Sequence, residues 1–239
     1  MGLGVEEIRD QVNRGHGRGL DGKVAVVTGA GADGEGIGNG RAIALLLSLC
    51  GAHVVAVDVR PDAARTTSAM ARRHGGRCDF LAADVSDEAS CQTVTAQVAQ
   101  EHGRIDILVN NVGIVGPSAP VTQARDAEID RLLAVNLKSV IFMAKHALPY
   151  VPAGGNIVNI TATSSIRTNE RPLYAASKGA INALTVTLAG QHGRDGVRVN
   201  AVMPGPVWTP LAVADAKSSQ EADVIRRNRR YSNPLGLEG

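Results

Sequence analysis

The sequence predicts a single α/β domain built on a doubly wound parallel sheet. Short apolar segments alternate along the chain with segments whose apolar residues recur at helical spacing, and this alternation is typical of such a sheet. A glycine-rich stretch from Thr28 to Gly40 joins the first predicted strand to the first predicted helix. The 239 residues fit one such domain, because a doubly wound fold commonly uses about 200 to 250 residues without dividing.

The first half of the chain predicts three strands that alternate with three helices. Ile43 and Leu46 lie on one side of the first helix, which Gly51 ends. Pro61 precedes the second helix, and Gly75-Gly76 introduces the third strand. We predict strands over 23–28, 53–58 and 77–85, and helices over 41–50, about 62–74 and about 87–102.

The second half continues the alternation. Ile129, Leu132 and Asn136 belong to the inner stripe of a long helix, Pro172 can begin the next helix, and Pro204-Gly205-Pro206 ends the last strand. We predict strands over 105–110, 156–161 and 197–202, and helices over about 126–148 and 172–192. The strands are continuously apolar, which indicates a sheet covered on both faces. Residues 1–21 are predicted to be an arm that precedes a domain of residues 22–239.

Composition and charge narrow the class of protein. The net charge of +2 gives no reason to expect nucleic acid or a membrane surface as partner. Cys50, Cys78 and Cys91 show neither a disulfide pattern nor metal-ligand spacing, so we expect no metal and a cytoplasmic location. No segment has the roughly 18 consecutive apolar residues of a membrane span.

The glycine-rich stretch predicts a phosphate-binding loop. Glycines allow backbone N–H groups to approach a pyrophosphate, and the following helix N-terminus favours negative charge. Asp58 ends the next strand 18 residues beyond Gly40, where an acid binds the adenosine ribose hydroxyls in dinucleotide folds. Its charge would repel a 2′-phosphate, which favours NAD over NADP. In the rival interpretation, Asp58 merely ends a strand and Arg60 reaches a phosphate.

Tyr174 and Lys178 are the candidate chemical pair. Four residues apart, they share a helix face, so the ammonium could stabilise a phenolate and lower the tyrosine pKa from about 10. Such a tyrosine could exchange a proton with an alcohol while hydride moves to or from a nicotinamide. The alternative is an exposed tyrosine beside a solvated lysine. Asn136 is either a satisfied core amide or part of this site.

Seven motifs in order resemble the classical short-chain dehydrogenases/reductases over about residues 22–210. They are the glycine loop from Thr28, Asp58, Asp84-Val85, Asn110-Asn111-Val112-Gly113, Asn136, Tyr174-Ala-Ala-Ser-Lys178 and Pro204-Gly205-Pro-Val-Trp-Thr209. The resemblance implies a Rossmann-type fold and an NAD-dependent oxidoreductase acting on a small-molecule alcohol or ketone. It also implies a homodimer or homotetramer.

The resemblance assigns roles to individual residues. Tyr174 would be the acid/base, Lys178 would lower its pKa and hold the nicotinamide ribose, and Asn136 would anchor a water in a proton relay. The implied cofactor-binding residues are Gly29, Gly36, Ile37, Gly38, Asp58, Asp84, Val85, Asn111, Gly113, Tyr174, Lys178, Pro204, Gly205, Val207 and Thr209.

The glycine loop departs from the family pattern because it is longer. The family's GxG is matched in spacing by Gly38-Asn39-Gly40, which leaves five extra residues after Thr28, and in residue identity by Gly36-Ile37-Gly38. The length is similar to that of the divergent enoyl reductases. Their lysine would fall at Ile181, however, which argues against that subgroup.

The family's catalytic serine is also missing, because Ile160 is followed by Thr161 and Ala162. Thr163, Ser164 or Ser165 could supply the hydroxyl, and we favour Ser164. The alternatives are a nucleotide-binding protein with little catalysis and, more distantly, a methyltransferase with a similar glycine loop.

The C-terminal part differs from the family as well. The chain ends at Gly239, before the family's last helix and seventh strand, so we expect either a truncated product or an uncovered sheet edge. Residues 206–231 would form a substrate lid. Within it, Arg226 to Arg230 could bind an acidic substrate or form a solvated helix face.

Overall fold

A computed structural model describes residues 19–207, 209 and 218–231. Within them a six-stranded parallel sheet has the order β3-β2-β1-β4-β5-β6, which confirms the predicted doubly wound architecture. The strands are β1 (Val24–Thr28), β2 (His53–Asp58), β3 (Arg77–Ala82), β4 (Ile107–Asn110), β5 (Asn156–Ile160) and β6 (Arg198–Val202).

Seven α-helices accompany these strands in the described part of the chain. They are α1 (Asn39–Leu49), α2 (Pro61–Arg73), α3 (Glu88–His102), α4 (Asp126–Leu133), α5 (Ser139–Ala147), α6 (Pro172–His192) and α7 (Ser219–Tyr231). No helix among these residues is both long and apolar enough to cross a membrane. The predicted arm falls almost entirely on residues that lie outside the described ranges.

Each strand contributes to two cores because successive side chains point to opposite faces of the sheet. Val24 and Val26 pack on the face covered by α3, α5 and α6, whereas Ala25 and Val27 pack on the face covered by α1 and α2. The strands are therefore buried on both sides, which explains their continuous apolar sequence.

The third strand is shorter than predicted and ends at Ala82 instead of residue 85. Ala83 still donates from its backbone N–H to the carbonyl of Asp58, but Asp84 then accepts hydrogen bonds from the backbone N–H and the hydroxyl of Ser86. This local turn leads the chain away from the sheet and into α3.

The long helix predicted over 126–148 contains an interruption. A five-residue π turn, Ala134–Lys138, separates α4 from α5, and Asn136 lies within it. Apolar periodicity cannot reveal such a turn, because one widened turn scarcely changes the stripe of buried residues.

Candidate functional site

The candidate site lies beyond the carboxyl ends of β1, β4 and β5. Ligands of open α/β sheets bind at this edge, where the strand order reverses between β1 and β4. The N-terminus of α1, the turn after β4 and the middle of the α4–α5 segment meet there with the first two turns of α6.

The glycine loop enters α1 through Gly38, which is its extended N-cap, so the helix begins at Asn39. Gly29 has a φ of +62°, and a Cβ atom at Gly40 would overlap the carbonyl oxygen of Gly29. Only glycine allows this close approach of helix and strand. The geometry thus places Gly38 and Gly40 at the start of the helix, as the spacing had suggested. Gly36 and Ile37 belong to the additional loop residues that precede it.

Arg41 stabilises these additional loop residues by hydrogen bonds. Its role was not recognised from the sequence. Its fully buried guanidinium donates to the carbonyls of Gly36 at 2.6 Å, Gly34 at 2.7 Å and Ala32 at 3.0 Å. Its Nε donates to Thr67 on α2 at 2.9 Å. Burial lowers the pKa of Arg41 from its usual value. The length of the loop is the only hint in the sequence, because a longer loop has more backbone carbonyls that need hydrogen-bond donors.

Asp58 lies at the end of β2 and is buried. Its Oδ2 accepts from the backbone N–H of Gly31 at 2.8 Å, and its Oδ1 accepts from the backbone N–H of Arg60 at 3.0 Å. These bonds fix the carboxylate beside the glycine loop.

Arg60 lies between two carboxylates. Its Nη1 donates to Asp33 of the loop, and its Nε is 3.7 Å from Asp58. The hydrogen bond to Asp33 raises the pKa of Arg60. An arginine that is already paired in this way is less suited to bind a 2′-phosphate than the rival interpretation requires.

Asp84 and Val85 follow β3. The Asp84 side chain is engaged by Ser86, as described above, and Val85 is buried in the core beneath α3. Their predicted contact with an adenine is compatible with this position at the carboxyl edge and stays a prediction.

The turn after β4 is tied to the glycine loop and to α6. Asn111 donates from its side chain to the carbonyls of Thr28 at 3.2 Å and Gly29 at 3.0 Å. The backbone of Gly113 lies against Lys178, whose Nζ is 3.2 Å from the position that a Cβ atom would take. The turn therefore positions these elements relative to one another.

Asn136 is fully buried and satisfied. Its Oδ1 accepts from the backbone N–H of Ile114 at 2.8 Å, and its Nδ2 donates to the Ile114 carbonyl at 2.9 Å. The same Nδ2 donates to Ser177 at 3.0 Å, and the Ser177 hydroxyl donates to the carbonyl of Tyr174 at 2.8 Å. Asn136 thus connects the turn after β4 to the helix that carries the tyrosine.

Lys178 is directed toward the strand ends, and only 3% of its surface is exposed. Its ammonium donates to the carbonyl of Ile160 at 2.9 Å and lies 5.9 Å from the ring centroid of Tyr174. Desolvation lowers the pKa of Lys178 to about 8, so the ammonium form still predominates at pH 7. The two side chains do share the edge at which a dinucleotide would bind.

Two serines in the short 3₁₀ turn Thr163–Ser165 differ in their hydrogen bonds. The Ser165 hydroxyl donates to the carbonyl of Ala162 at 2.7 Å and accepts from Asn182 at 2.9 Å. The Ser164 hydroxyl is buried and makes no hydrogen bond within the described part of the chain. Of these two serines, Ser164 is therefore the one whose hydroxyl is not engaged by the described protein groups.

The segment after β6 is held against the segment after β5. Thr163 donates from its backbone N–H to the carbonyl of Pro204 at 3.0 Å, and Val207 donates to the carbonyl of Gly205 at 2.8 Å. The first bond places Pro204 beside the turn after β5, and the predicted cofactor contacts of Pro204, Gly205 and Val207 stay predictions. Thr209 is half-buried.

The predicted lid is described only in part, since residues 208 and 210–217 are outside the described ranges. Helix α7 contains the arginine cluster that starts at Arg226, and the side chains at 229 and 230 are likewise outside the description. Binding of an acidic substrate by this cluster remains a hypothesis.

A nicotinamide dinucleotide fits the donors and acceptors at this edge. An ammonium has three N–H donors, and among the described residues the Lys178 ammonium has one protein acceptor, the Ile160 carbonyl. Ribose hydroxyls are suitable acceptors for the remaining N–H groups. Within the described residues no side chain caps the N-terminus of α1, so its first backbone N–H groups are candidate donors to a pyrophosphate.

Comparison with known proteins places these features in a family. The family model described as enoyl-(acyl carrier protein) reductase matches residues 31–236. General stress protein 39 of Bacillus subtilis (strain 168) is 36% identical over 198 residues, which cover 82% of this chain and 67% of that protein. Glucose and ribitol dehydrogenase of Daucus carota is 36% identical over 200 residues, which cover 80% and 67% respectively.

A solved structure of the same kind is the crystal structure of NAD⁺-bound xylitol dehydrogenase. It superposes with a TM-score of 0.81 at 27% identity, and the match covers 92% of this chain and 88% of that one. Further similar proteins are themselves described as short-chain dehydrogenases/reductases. The parallel sheet, the ordered motifs and these matches together show that the chain belongs to the short-chain dehydrogenase/reductase family of nicotinamide-dependent oxidoreductases.

Proposed function

We propose that this chain interconverts a secondary alcohol and a ketone with NAD(H), using Tyr174 as the acid/base. The observation that supports this most directly is the buried Lys178 ammonium, which the Ile160 carbonyl fixes 5.9 Å from the Tyr174 ring. A cation in this low-dielectric position favours the phenolate over the phenol. The spacing of the pair, with fully buried Ile181 where the divergent enoyl reductases have lysine, favours alcohol–ketone chemistry.

The proposed reaction is balanced in protons and electrons. NAD⁺ supplies the hydride acceptor when bound. In oxidation, the Tyr174 phenolate takes the hydroxyl proton of the alcohol as the carbinol C–H bond breaks, and the products are the ketone, NADH and one proton. Ser164 donates a hydrogen bond to the substrate oxygen in both directions. Asn136 acts as a positioning residue, because it links the turn after β4 to the tyrosine helix.

The preference for NAD rests on charges beside the loop. Asp58 is held toward the loop by Gly31, and Arg60, which lies beside it, is engaged by Asp33 and Asp58. A 2′-phosphate would therefore meet two carboxylates and one already paired guanidinium. The NAD⁺-bound xylitol dehydrogenase and the glucose and ribitol dehydrogenase support a cofactor and alcohol substrate of this kind.

Thermal shift and absorbance measurements test the proposal together. We expect NAD to raise the melting temperature more than NADP at equal concentration, since ligand at 100 times its Kd stabilises by about 2.7 kcal/mol. Absorbance of NADH should then appear with at least one member of a broad panel of secondary alcohols. A larger shift with S-adenosylmethionine than with NAD would contradict the proposal. Tight NAD binding with no turnover across alcohols and ketones would favour a nucleotide-binding protein.

Replacing Ser164 by Ala is expected to lower kcat by about 10²- to 10³-fold with little change in NAD affinity, because one oxyanion-type donor would be lost. Steady-state kinetics on the best alcohol of the panel would measure this. Ser165→Ala is the matched control, because its hydroxyl is already used by Ala162 and Asn182. An equal loss in both variants would show that the turn matters only as a scaffold.

A further inference from the structure

A group of potential metal-ligand side chains lies at the opposite end of the sheet from the candidate active site. His53 is the first residue of β2, Asp79 belongs to the first half of β3, and His102 is the last residue of α3. The amino ends of the two strands thus meet the C-terminus of a helix that packs on this face. None of these residues belongs to the motifs that support the oxidoreductase function.

The three side chains converge closely. One nitrogen from each histidine and one Asp79 oxygen all lie within 4.8 Å of one another. The His53 Nε2 is 2.5 Å from Asp79 Oδ2, and the two imidazole rings have centroids 4.4 Å apart. Ligands of a tetrahedral zinc ion at about 2.1 Å are separated from each other by about 3.4 Å. Side-chain rotations that move the ligand atoms by roughly an ångström would therefore bring all three to one ion.

The His102 imidazole provides an independent indication. Its Nε2 is buried and makes no hydrogen bond within the described residues, although the Glu101 carboxylate is 3.9 Å away. A buried nitrogen without a partner carries a free-energy cost that a bound metal ion would remove.

Arg72 orients the carboxylate for such a role. Its Nη2 donates to Asp79 Oδ1, and its Nε donates to the carbonyl of Cys78 at 2.8 Å. Oδ2 remains on the side of His53. Hydrogen bonds that fix a ligating carboxylate from behind are a usual feature of metal sites. The partial exposure of all three residues leaves room for a water as the fourth ligand.

We propose that His53, Asp79 and His102 form a binding site for a divalent transition-metal ion of the zinc class. Two imidazoles and one carboxylate are ligands that suit zinc, cobalt and nickel, whereas magnesium and calcium prefer oxygen ligands alone. The ion would connect the end of α3 to the β2–β3 edge, so its role is structural and independent of the proposed hydride transfer.

Titration of the EDTA-treated, dialysed full chain with zinc sulfate, cobalt chloride or magnesium chloride tests this site. Calorimetry should show saturable binding of one zinc ion per chain, with a rise in melting temperature that magnesium does not produce. His102→Gln and His53→Gln should each weaken zinc binding by at least about 100-fold. His192→Gln is the matched control, because His192 lies at the end of α6 beside Asp195 and should bind zinc as the unmodified chain does.

Cobalt distinguishes this site from the chain's cysteines. Bound cobalt should show visible d–d absorption without an intense thiolate charge-transfer band, because the proposed ligands contain no sulfur. Circular dichroism and NAD-induced thermal shift of the two glutamine variants would verify that they remain folded. Absence of saturable zinc binding to the unmodified chain, a thiolate band, or unchanged zinc affinity in both folded glutamine variants would each overturn the proposal.

Discussion

The Tyr174→Phe variant is expected to lose about 10³- to 10⁴-fold in kcat while keeping its affinity for NAD. Phenylalanine retains the ring, so packing on α6 is preserved, but it cannot take or give the proton of the substrate hydroxyl. Lys178 keeps its hydrogen bond to Ile160 in this variant, so the cofactor site stays formed. Steady-state rates with the best alcohol and a direct NAD titration would separate the two effects.

Tyr150→Phe is the matched control for that experiment. Tyr150 is partly exposed in the 3₁₀ turn Leu148–Tyr150, outside the site, so its variant should keep normal kinetics. If Tyr174→Phe retained more than about a tenth of the original kcat, Tyr174 would not be the acid/base and the proposed chemistry would have to be assigned to another group.

Replacing Arg41 by Met is expected to lower the free energy of unfolding by about 3 to 5 kcal/mol. Methionine fills part of the volume but leaves the buried carbonyls of Ala32, Gly34 and Gly36 without their donor. The loop would also lose its fixed shape, so NAD affinity should fall as well. Urea unfolding and NAD titration would measure the two losses. Arg41→Lys should be intermediate between the unmodified chain and Arg41→Met in both measurements, because one ammonium cannot reach the same set of acceptors.

Arg73→Met provides the comparison, because Arg73 at the end of α2 pairs with the same loop at the protein surface. Arg73 is 62% exposed and pairs with Glu35 of the loop at 3.3 Å, and exposed pairs contribute about 0 to 1 kcal/mol. Its variant should therefore unfold nearly as the unmodified chain does. A comparable loss in both variants would mean that the loop depends on overall positive charge and not on the buried guanidinium.

The periodicity of the sequence was sufficient to predict the sheet and its helices. Apolar runs and turn residues give element type directly, and five of the six strands both begin and end within two residues of their predicted bounds. Strand β3 was predicted too long because the side-chain bond from Ser86 to Asp84 starts a turn that hydrophobicity does not encode. The π turn around Asn136 was missed for a similar reason, since it depends on bonds to Ile114.

The site residues likewise divide into those that sequence spacing predicts and those that depend on the folded structure. Tyr174 and Lys178 could be paired from their spacing alone, because positions four apart share a helix face. The Ile160 carbonyl, which accepts from the Lys178 ammonium, could not be predicted, because this contact depends on where α6 lies above β5. Arg41 was overlooked because a charged residue in the first turn of an amphipathic helix is ordinarily exposed, and only the folded loop shows that it is enclosed.

The close contact between Gly40 and Gly29 has an implication for how this family can diversify. Because that contact anchors the helix directly to the strand, the intervening residues can be inserted or deleted as an outward bulge while the N-terminus of α1 keeps its place. Loop length is thereby uncoupled from the position of α1, and the enclosed Arg41 allows the longer loop to be ordered.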